Sequence, residues 1–356
     1  MNAPDFIGYE NMSDYASPKY SIVEVNAAGK LLSKLESDDK SEYVKAISVI
    51  DNWRSSHAYP LLIFYQTLKN RATKIHQSAL VAQRTKRLIS IIEKLKREDD
   101  MKLSQMQDIG GCRAVLPTLA QVRKLEQVYK SSRWEHITLN NKDYIAHPKE
   151  SGYRSIHLKY KYTGVGDKSC YSNLKIEIQL RTKLQHTWAT AVETAGTFSK
   201  QAFKSYNGDV GWLRFFSLMS SVFAIREKCP IIPGTSENYD DLIAEIRELN
   251  KEHKIISSFS GATAVLTYIG KQQDDVYFLV SLDPDKATVT VKGFKKRESQ
   301  LANSEYIAME EKALGTNINV VLISSASVKA LERAYPNYFL DSTEFLKELV
   351  AICPNG

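Results

Sequence analysis

Residues 174–181, LKIEIQLR, alternate without a break: Ile176, Ile178 and Leu180 fall on one face of an extended chain, and Glu177, Gln179 and Arg181 fall on the other. A period of two specifies a β-strand and is incompatible with an amphipathic helix. The apolar face requires a core on one side of a sheet. The other face lines up a carboxylate, an amide and a guanidinium, a set suited to a polar cleft; a solvated face closed by a salt bridge is the alternative that this strand alone leaves open.

The surrounding pattern gives the strand its context. Residues 20–80 read mostly as helices, and RTKRLISIIEKLKR (84–97) as an amphipathic helix with Leu88, Ile91, Ile92 and Leu95 on one face. Lys86, Ser90 and Lys94 line a neighbouring stripe. Strands are expected at 110–117, 134–139 and 152–162, with a helix at 119–132 and further helices at 183–196 and 210–228. In the strand 152–162, Tyr153, Ser155 and His157 share a face opposite Ile156. Helix 210–228 is apolar nearly all round, which predicts burial between domains. Two prolines and a glycine within 229–236 mark a boundary. Beyond it a polar helix (237–254), strands near 263–269, 276–282, 286–292 and 318–324, and helices near 326–334 and 341–351 predict a second, smaller α/β module. The expected class is α+β: a mixed sheet flanked by helices over residues 1–230, and a small α/β domain over 231–356.

Charge divides the chain at the same place. Residues 1–230 hold 35 Lys and Arg against 23 Asp and Glu, whereas residues 231–356 hold 13 against 18. A front of net +12 attracts phosphates or nucleic acid, and a back of net −5 is able to lie against it. The N-terminal stretch reads as neither a signal nor a transit peptide, and no apolar run approaches the ~18 residues of a membrane span, so a cytoplasmic protein is expected. Cys112, Cys170, Cys229 and Cys353 are widely spaced, which predicts free thiols and no zinc site.

Asp108 precedes the strand that carries Arg113. With Glu177 on a neighbouring strand it makes a carboxylate pair for Mg²⁺, and Arg84, Lys86 and Lys94 supply cations for a triphosphate. No Walker loop is present: GVG at 164–166 lacks the Lys-Ser/Thr ending.

Six blocks in register, RTK (84–86), SIIEK (90–94), DIGGCR (108–113), KDYI (142–145), PKESGYRSIH (148–157) and IEIQLRT (176–182), resemble the RelA/SpoT-type alarmone synthetase domain over about residues 60–205. The resemblance implies a nucleotidyltransferase-like fold that moves pyrophosphate from ATP to the 3′-hydroxyl of a guanosine nucleotide. It implies Asp108 and Glu177 as catalytic and Mg²⁺-binding, Arg84, Lys86, Ser90, Lys94, Arg113 and Lys142 at ATP, and Lys149, Tyr153, His157, Gln179 and Arg181 at the acceptor, with Tyr153 stacked on its base. Ser151 departs from the family's Asn, and no paired His-Asp hydrolase signature precedes the synthetase blocks.

The stretch LQHTWATAVE (184–193) and the C-terminal module are most similar to the fused toxin–antitoxin group called CapRel. That likeness implies pyrophosphorylation of the 3′ CCA end of tRNA; Lys69, Arg71, Lys74 and Arg87 are candidates for contacts to its backbone, solvated basic residues being the alternative. It also implies restraint by a Tyr-x-x-Tyr motif, here Tyr335 and Tyr338, and release by a phage protein, the major capsid protein being one candidate. A core or surface tyrosine pair is the alternative for that motif. A (p)ppGpp synthetase acting on GDP or GTP is the alternative for the function.

Overall fold

The computed structural model describes residues 15–34, 40–199, 209–261, 265–269, 275–324, 328–339 and 341–353. Three helices come first, α1 (Ile22–Lys34), α2 (Lys40–Ser56) and α3 (Ala58–Ile75), followed by β1 (Leu80–Thr85) and α4 (Leu88–Arg97). Next are β2 (Gly110–Leu116), α5 (Leu119–Ser131), the short strands β3 (Ile137–Thr138) and β4 (Lys142–Asp143), then β5 (Ile156–Lys161) and β6 (Lys175–Thr182). Four helices follow, α6 (Lys183–Ser199), α7 (Val210–Glu227), α8 (Tyr239–His253) and α9 (Ile255–Gly261). The C-terminal part contains β7 (Val265–Ile269), β8 (Asp275–Asp283), β9 (Thr288–Lys295), α10 (Ser299–Ala313), β10 (Asn319–Ser324), α11 (Val328–Ala334), a 3-10 turn (Pro336–Phe339) and α12 (Thr343–Ile352).

The fold is α+β with a mixed sheet, as the alternating periods require. Among the described residues one sheet of ten strands runs β3-β5-β6-β2-β1-β10-β8-β9-β7, with β4 on β5. β2 and β6 are parallel, and β5 is antiparallel to β6. Ile176, Ile178 and Leu180 of β6 are fully buried, each contributing about 1.5–3 kcal/mol of apolar burial. They join Leu32, Ile50, Phe64, Leu68, Ile91 and Leu125 in the core under the first helices. α4 buries Leu88, Ile91, Ile92 and Leu95, and its last turn carries Lys94, Lys96 and Arg97, the favourable sign for a helix C-terminus. α5 starts at a capping box in which Thr118 and Gln121 bond each other's backbone N–H.

α7 is buried almost all round, as its composition predicts, in a second cluster with Trp188 of α6, Ile246 of α8 and Phe345 and Leu349 of α12. The sheet does not stop at the expected domain boundary. β10, from the C-terminal segment, pairs antiparallel with β1, matching Arg84 to Ile323 and Gln83 to Ser324. Ala82 of β1 lies in one apolar cluster with Phe278, Val280, Val321 and Ile323.

Several boundaries differ from the sequence reading. The helix expected from residue 84 starts at Leu88, because 80–85 is strand β1, held by pairing on both sides. The strand expected over 152–162 starts at Ile156, since a tight turn occupies the residues before it, and that expected over 134–139 shrinks to Ile137–Thr138. α10 escapes a search for apolar period because its buried stripe is Ala302, Tyr306 and Glu310, one of the three positions being a carboxylate. Residues 263–264 and 326–327 of the expected strand and helix lie outside the described residues, as do residues 1–14.

Candidate active site

Strand register aligns the polar positions. Arg84 on β1 faces Gly111 on β2, which faces Glu177 on β6, which faces Lys159 on β5. Two residues along, Ala82, Arg113, Gln179, His157 and Lys142 form a second row on the same face. Gly111 leaves the first row open: a Cβ there would meet nothing nearer than the Glu177 carbonyl oxygen at 3.9 Å and that of Arg84 at 4.0 Å. The floor between Arg84 and Glu177 is bare backbone, which a ligand can approach closely.

Asp108, two residues before β2, stands at one end of this floor. Lys86 Nζ donates to its Oδ2 at 2.7 Å and Lys94 Nζ to its Oδ1 at 3.1 Å. Burial works to raise the Asp108 carboxyl, but the two ammonium groups outweigh it and hold it well below the usual carboxylate range. Burial lowers Lys86, opposed by Asp108. Ser90 lies in the first turn of α4, half-buried, on the stripe that ends at Lys94.

Glu177 belongs to a closed hydrogen-bonded circuit. Its Oε1 lies 2.9 Å from His157 Nδ1, and His157 Nε2 lies 2.8 Å from the Tyr153 hydroxyl. Arg181 Nη2 donates to that hydroxyl at 2.6 Å and to Gln179 Oε1 at 2.8 Å, and Gln179 Nε2 donates back to Glu177 Oε2 at 2.8 Å. Burial pushes the Glu177 carboxyl up, yet His157 beside it and the donated hydrogen bonds keep it below the ordinary value. Burial lowers His157, but Tyr153 and Glu177 together raise it above its ordinary value of about 6.5. A raised histidine contributes stability that is fully present below its unfolded pKa and is lost as pH rises through the higher folded value. NMR titration of the His157 ring is therefore expected to give a midpoint above ~6.5, and Glu177→Gln is expected to lower that midpoint. A midpoint unmoved by the substitution would show that Glu177 does not hold the imidazolium.

Lys149 and Tyr153, two of the residues expected at an acceptor, flank the turn before β5. Gly152 N–H donates to Lys149 O at 2.8 Å, and Gly152 has φ +92°. A Cβ on Gly152 would meet Trp188 Cζ2 at 2.8 Å and Phe216 O at 3.1 Å. Gly152→Ala is expected to cost about 2–5 kcal/mol, combining the left-handed backbone penalty with overpacking, as measured by urea denaturation. A loss under ~0.5 kcal/mol, the range of neutral surface changes, would mean the turn relaxes freely. Tyr153 is 4% exposed, with Lys149 Nζ 5.6 Å and Arg181 Cζ 5.1 Å from its ring centroid. In this state its ring is packed within the protein. Ser151, where the family carries Asn, is buried, and its hydroxyl has no hydrogen-bond partner.

Arg113 is engaged from the C-terminal segment. Its Nη2 donates to Ala334 O at 2.9 Å, and its Cζ lies 5.0 Å from the centroid of the Tyr335 ring. Tyr335 and Tyr338 are both buried, 6.2 Å apart between ring centroids, in the cluster that contains Ala82 and Ile323. Both influence Arg84 electrostatically, and burial pushes the Tyr335 phenol up to about 12. Core packing and contact with Arg113, one of the arginines expected at ATP, thus occur together.

The structure adds residues that the sequence reading passed over. Lys159, two residues beyond His157, is within electrostatic reach of Glu177, Lys94 and Asp108. His186 and Glu193 on α6 both interact with Arg113, and their seven-residue spacing on one helix face was a legible signal. Of the four basic residues expected at a tRNA backbone, Lys69 and Lys74 are exposed. Arg71 instead packs over the rings of Tyr129 and Trp134, at 4.4 and 5.0 Å, and Arg87 bonds the side chain of Asn319.

Asp108 and Glu177 influence each other's charge across the open floor. Two ionised carboxylates are what Mg²⁺ takes from protein when phosphate and water complete its shell, so this donor set fits that ion. Among the described residues no group of three or more His, Cys, Asp or Glu forms a metal cage. No helix among them is long and apolar enough to cross a membrane.

Comparison with known proteins falls on this same part of the chain. Residues 83–202 match the family model for the region found in RelA/SpoT proteins. Over 115 residues the chain is 35% identical to the GTP pyrophosphokinase YjbM of Bacillus subtilis, covering 31% of this chain and 52% of that protein. Over 201 residues it is 31% identical to the probable chloroplastic GTP diphosphokinase CRSH of Arabidopsis thaliana, covering 50% of this chain and 33% of that protein. The chain therefore spans about half the length of the first relative and a third of the second. Among solved structures, the small alarmone synthetase 1 of Bacillus subtilis bound to its product pppGpp aligns with 23% identity and a TM-score of 0.42, over 48% of this chain and 89% of that one.

Proposed function

We propose that this chain is a pyrophosphotransferase that moves pyrophosphate from ATP to the 3′-hydroxyl of a guanosine nucleotide, GDP or GTP, and that its C-terminal segment restrains it. The observation that carries the reading is the open floor at Gly111, with Asp108 and its two lysines at one end and the Glu177–His157 pair at the other. The similarity of residues 83–202 to RelA/SpoT proteins supports it.

Arg84, Lys86, Ser90, Lys94 and Arg113 bind and orient the triphosphate donor, where Lys86 and Lys94 exchange Asp108 for phosphate oxygens. Lys142 belongs with the donor set, and Lys149 and Tyr153 serve the acceptor. Mg²⁺ held by Asp108 and Glu177 would neutralise charge on the phosphates. The acceptor 3′-oxygen bonds to the β-phosphorus of ATP as the bond from that phosphorus to the α,β-bridging oxygen breaks. AMP leaves with the electron pair, and the acceptor proton passes to Glu177. His157 and Gln179 hold the Glu177 carboxylate in place and ionised, ready for that proton.

The division into a synthetase unit (1–230) and a regulatory unit (231–356) belongs to this proposal, with the contact of Tyr335 and Ala334 on Arg113 as its support. A tRNA 3′ end is the second reading for the acceptor, favoured by the net +12 of residues 1–230; release by a phage protein goes with it. The test supplies ATP labelled on its β- and γ-phosphates, with GDP, GTP and deacylated tRNA in separate reactions. Label on the guanosine nucleotides is expected. Label on tRNA alone would transfer the reading to the second acceptor, and label on none of them with a released variant would overturn both.

A further inference from the structure

The C-terminal segment also touches the β1–α4 junction, at a point well apart in sequence from the tyrosines. Glu310 of α10, 5% exposed, accepts a hydrogen bond from the backbone N–H of Leu88, the first residue of α4, at 2.6 Å. The same oxygen, Oε1, also accepts from the Tyr306 hydroxyl at 3.1 Å, and the other, Oε2, lies 2.7 Å from Arg54 Nη1. Arg54, 3% exposed, also donates from Nε to the carbonyl oxygen of Lys86 at 3.0 Å, to Asp51 at 2.7 Å, and to the Tyr306 hydroxyl. At adjoining residues, Arg87 bonds Asn319, and Asn303 Nδ2 donates to Ser55 Oγ at 3.1 Å.

These contacts converge on the β1–α4 junction, the short link that carries Lys86 and leads into Ser90 and Lys94. A buried guanidinium and the N–H at the start of a helix are the groups that hold a phosphate oxygen. Here they hold a carboxylate delivered by the C-terminal segment. We infer that Glu310 stands in for a phosphate group of the donor, so that a bound polyphosphate and the docked C-terminal segment exclude one another at the start of α4. The inference rests on the reading of this site as a nucleoside triphosphate site and names its regulation: a charge latch at Arg54 and Leu88 that works alongside the tyrosine contact at Arg113. Opening the latch lets Arg54 exchange one oxyanion for another, so its buried charge stays paired.

The test uses the full chain and inorganic tripolyphosphate with Mg²⁺, read by titration calorimetry. Glu310→Gln keeps the shape and the Tyr306 contact but removes the charge, and it is expected to tighten tripolyphosphate binding by at least about tenfold, the scale of one charge-assisted hydrogen bond. Independently, saturating tripolyphosphate added to the wild-type chain is expected to speed amide hydrogen exchange in 299–313. Equal or weaker binding by a Glu310→Gln protein with intact near-UV dichroism overturns the inference. So does binding to wild type that leaves α10 protected, or no binding to either protein. These outcomes separate from the parent reading: a latch that behaves as expected, in a protein that labels no acceptor, refutes the reaction and spares the latch. Labelled acceptor with an unresponsive latch does the reverse.

Discussion

Glu177→Gln should lower pyrophosphate transfer by about 10²–10⁴-fold in kcat, the range for removing a positioned general base, and leave the fold intact. Gln is nearly isosteric with Glu, so Ile176 and Ile178 keep their buried places on either side of it. What changes is charge. Glu177 presents Oε1 to His157 Nδ1 and Oε2 to Gln179 Nε2. An amide satisfies one of these with oxygen and sets its NH₂ against the other, so one arm of the circuit must break or His157 must change tautomer. The substituted protein also cannot accept the acceptor proton or share a divalent ion with Asp108. Rates should be measured by transfer of the labelled pyrophosphate to GDP, in a background released from the C-terminal segment. Retention of more than about a tenth of the activity would remove Glu177 from the role of base, since such a base is worth at least ~10²-fold.

Much of the candidate site was legible in the sequence because the strand period is unbroken along β6. The LKIEIQLR alternation sorts Glu177, Gln179 and Arg181 onto one face, and the structure joins them in one circuit. Asp108 was legible as the residue leading into a strand, and its partners Lys86 and Lys94 from their spacing. The start of β5 was not: alternation over 152–156 imitates a strand, while the turn that Gly152 closes onto Lys149, at φ +92°, leaves 152–155 irregular and β5 begins only at Ile156. The strand β1 was hidden for a different reason. Its residues continue into an amphipathic run with a helical period, and only pairing with β2 and β10 decides for extended backbone. The contact of Glu310 with Leu88 could not be read at all, since it joins residues 222 apart in the chain and no local pattern records such a pairing.

The continuity of the sheet also changes how the restraint should be tested. Deleting residues 231–356 would strip β10 from the edge of β1, uncover Ala82, and remove Phe345, Leu349 and Ile352 from the cluster around α7. An exposed edge strand beside an exposed apolar face invites aggregation, so a silent truncation would say little about catalysis. Point substitutions at the contact avoid this.

Tyr335→Ala combined with Tyr338→Ala in the full chain should raise basal transfer by one to two orders of magnitude, roughly what ~1.4–3 kcal/mol of lost docking yields. The estimate sits below the ~3–5 kcal/mol cost of truncating a buried aromatic, because part of that cost falls on the apolar cluster shared with Val280 and Val321 rather than on docking. The cation–π contact of Arg113 with Tyr335 supplies a further ~0.5–2 kcal/mol that belongs to docking alone. Tyr335→Leu separates the two contributions: it keeps apolar volume in the cluster while removing the ring from Arg113. If the segment restrains the enzyme through this contact, Tyr335→Leu should also raise transfer, with unfolding cooperativity in urea unchanged. Wild-type rates in a folded Tyr335→Leu protein and in the double-alanine protein would leave these tyrosines as core residues and place any restraint elsewhere. Activation in the double variant alone would trace release to loosening of the C-terminal core, with the arginine contact incidental to it.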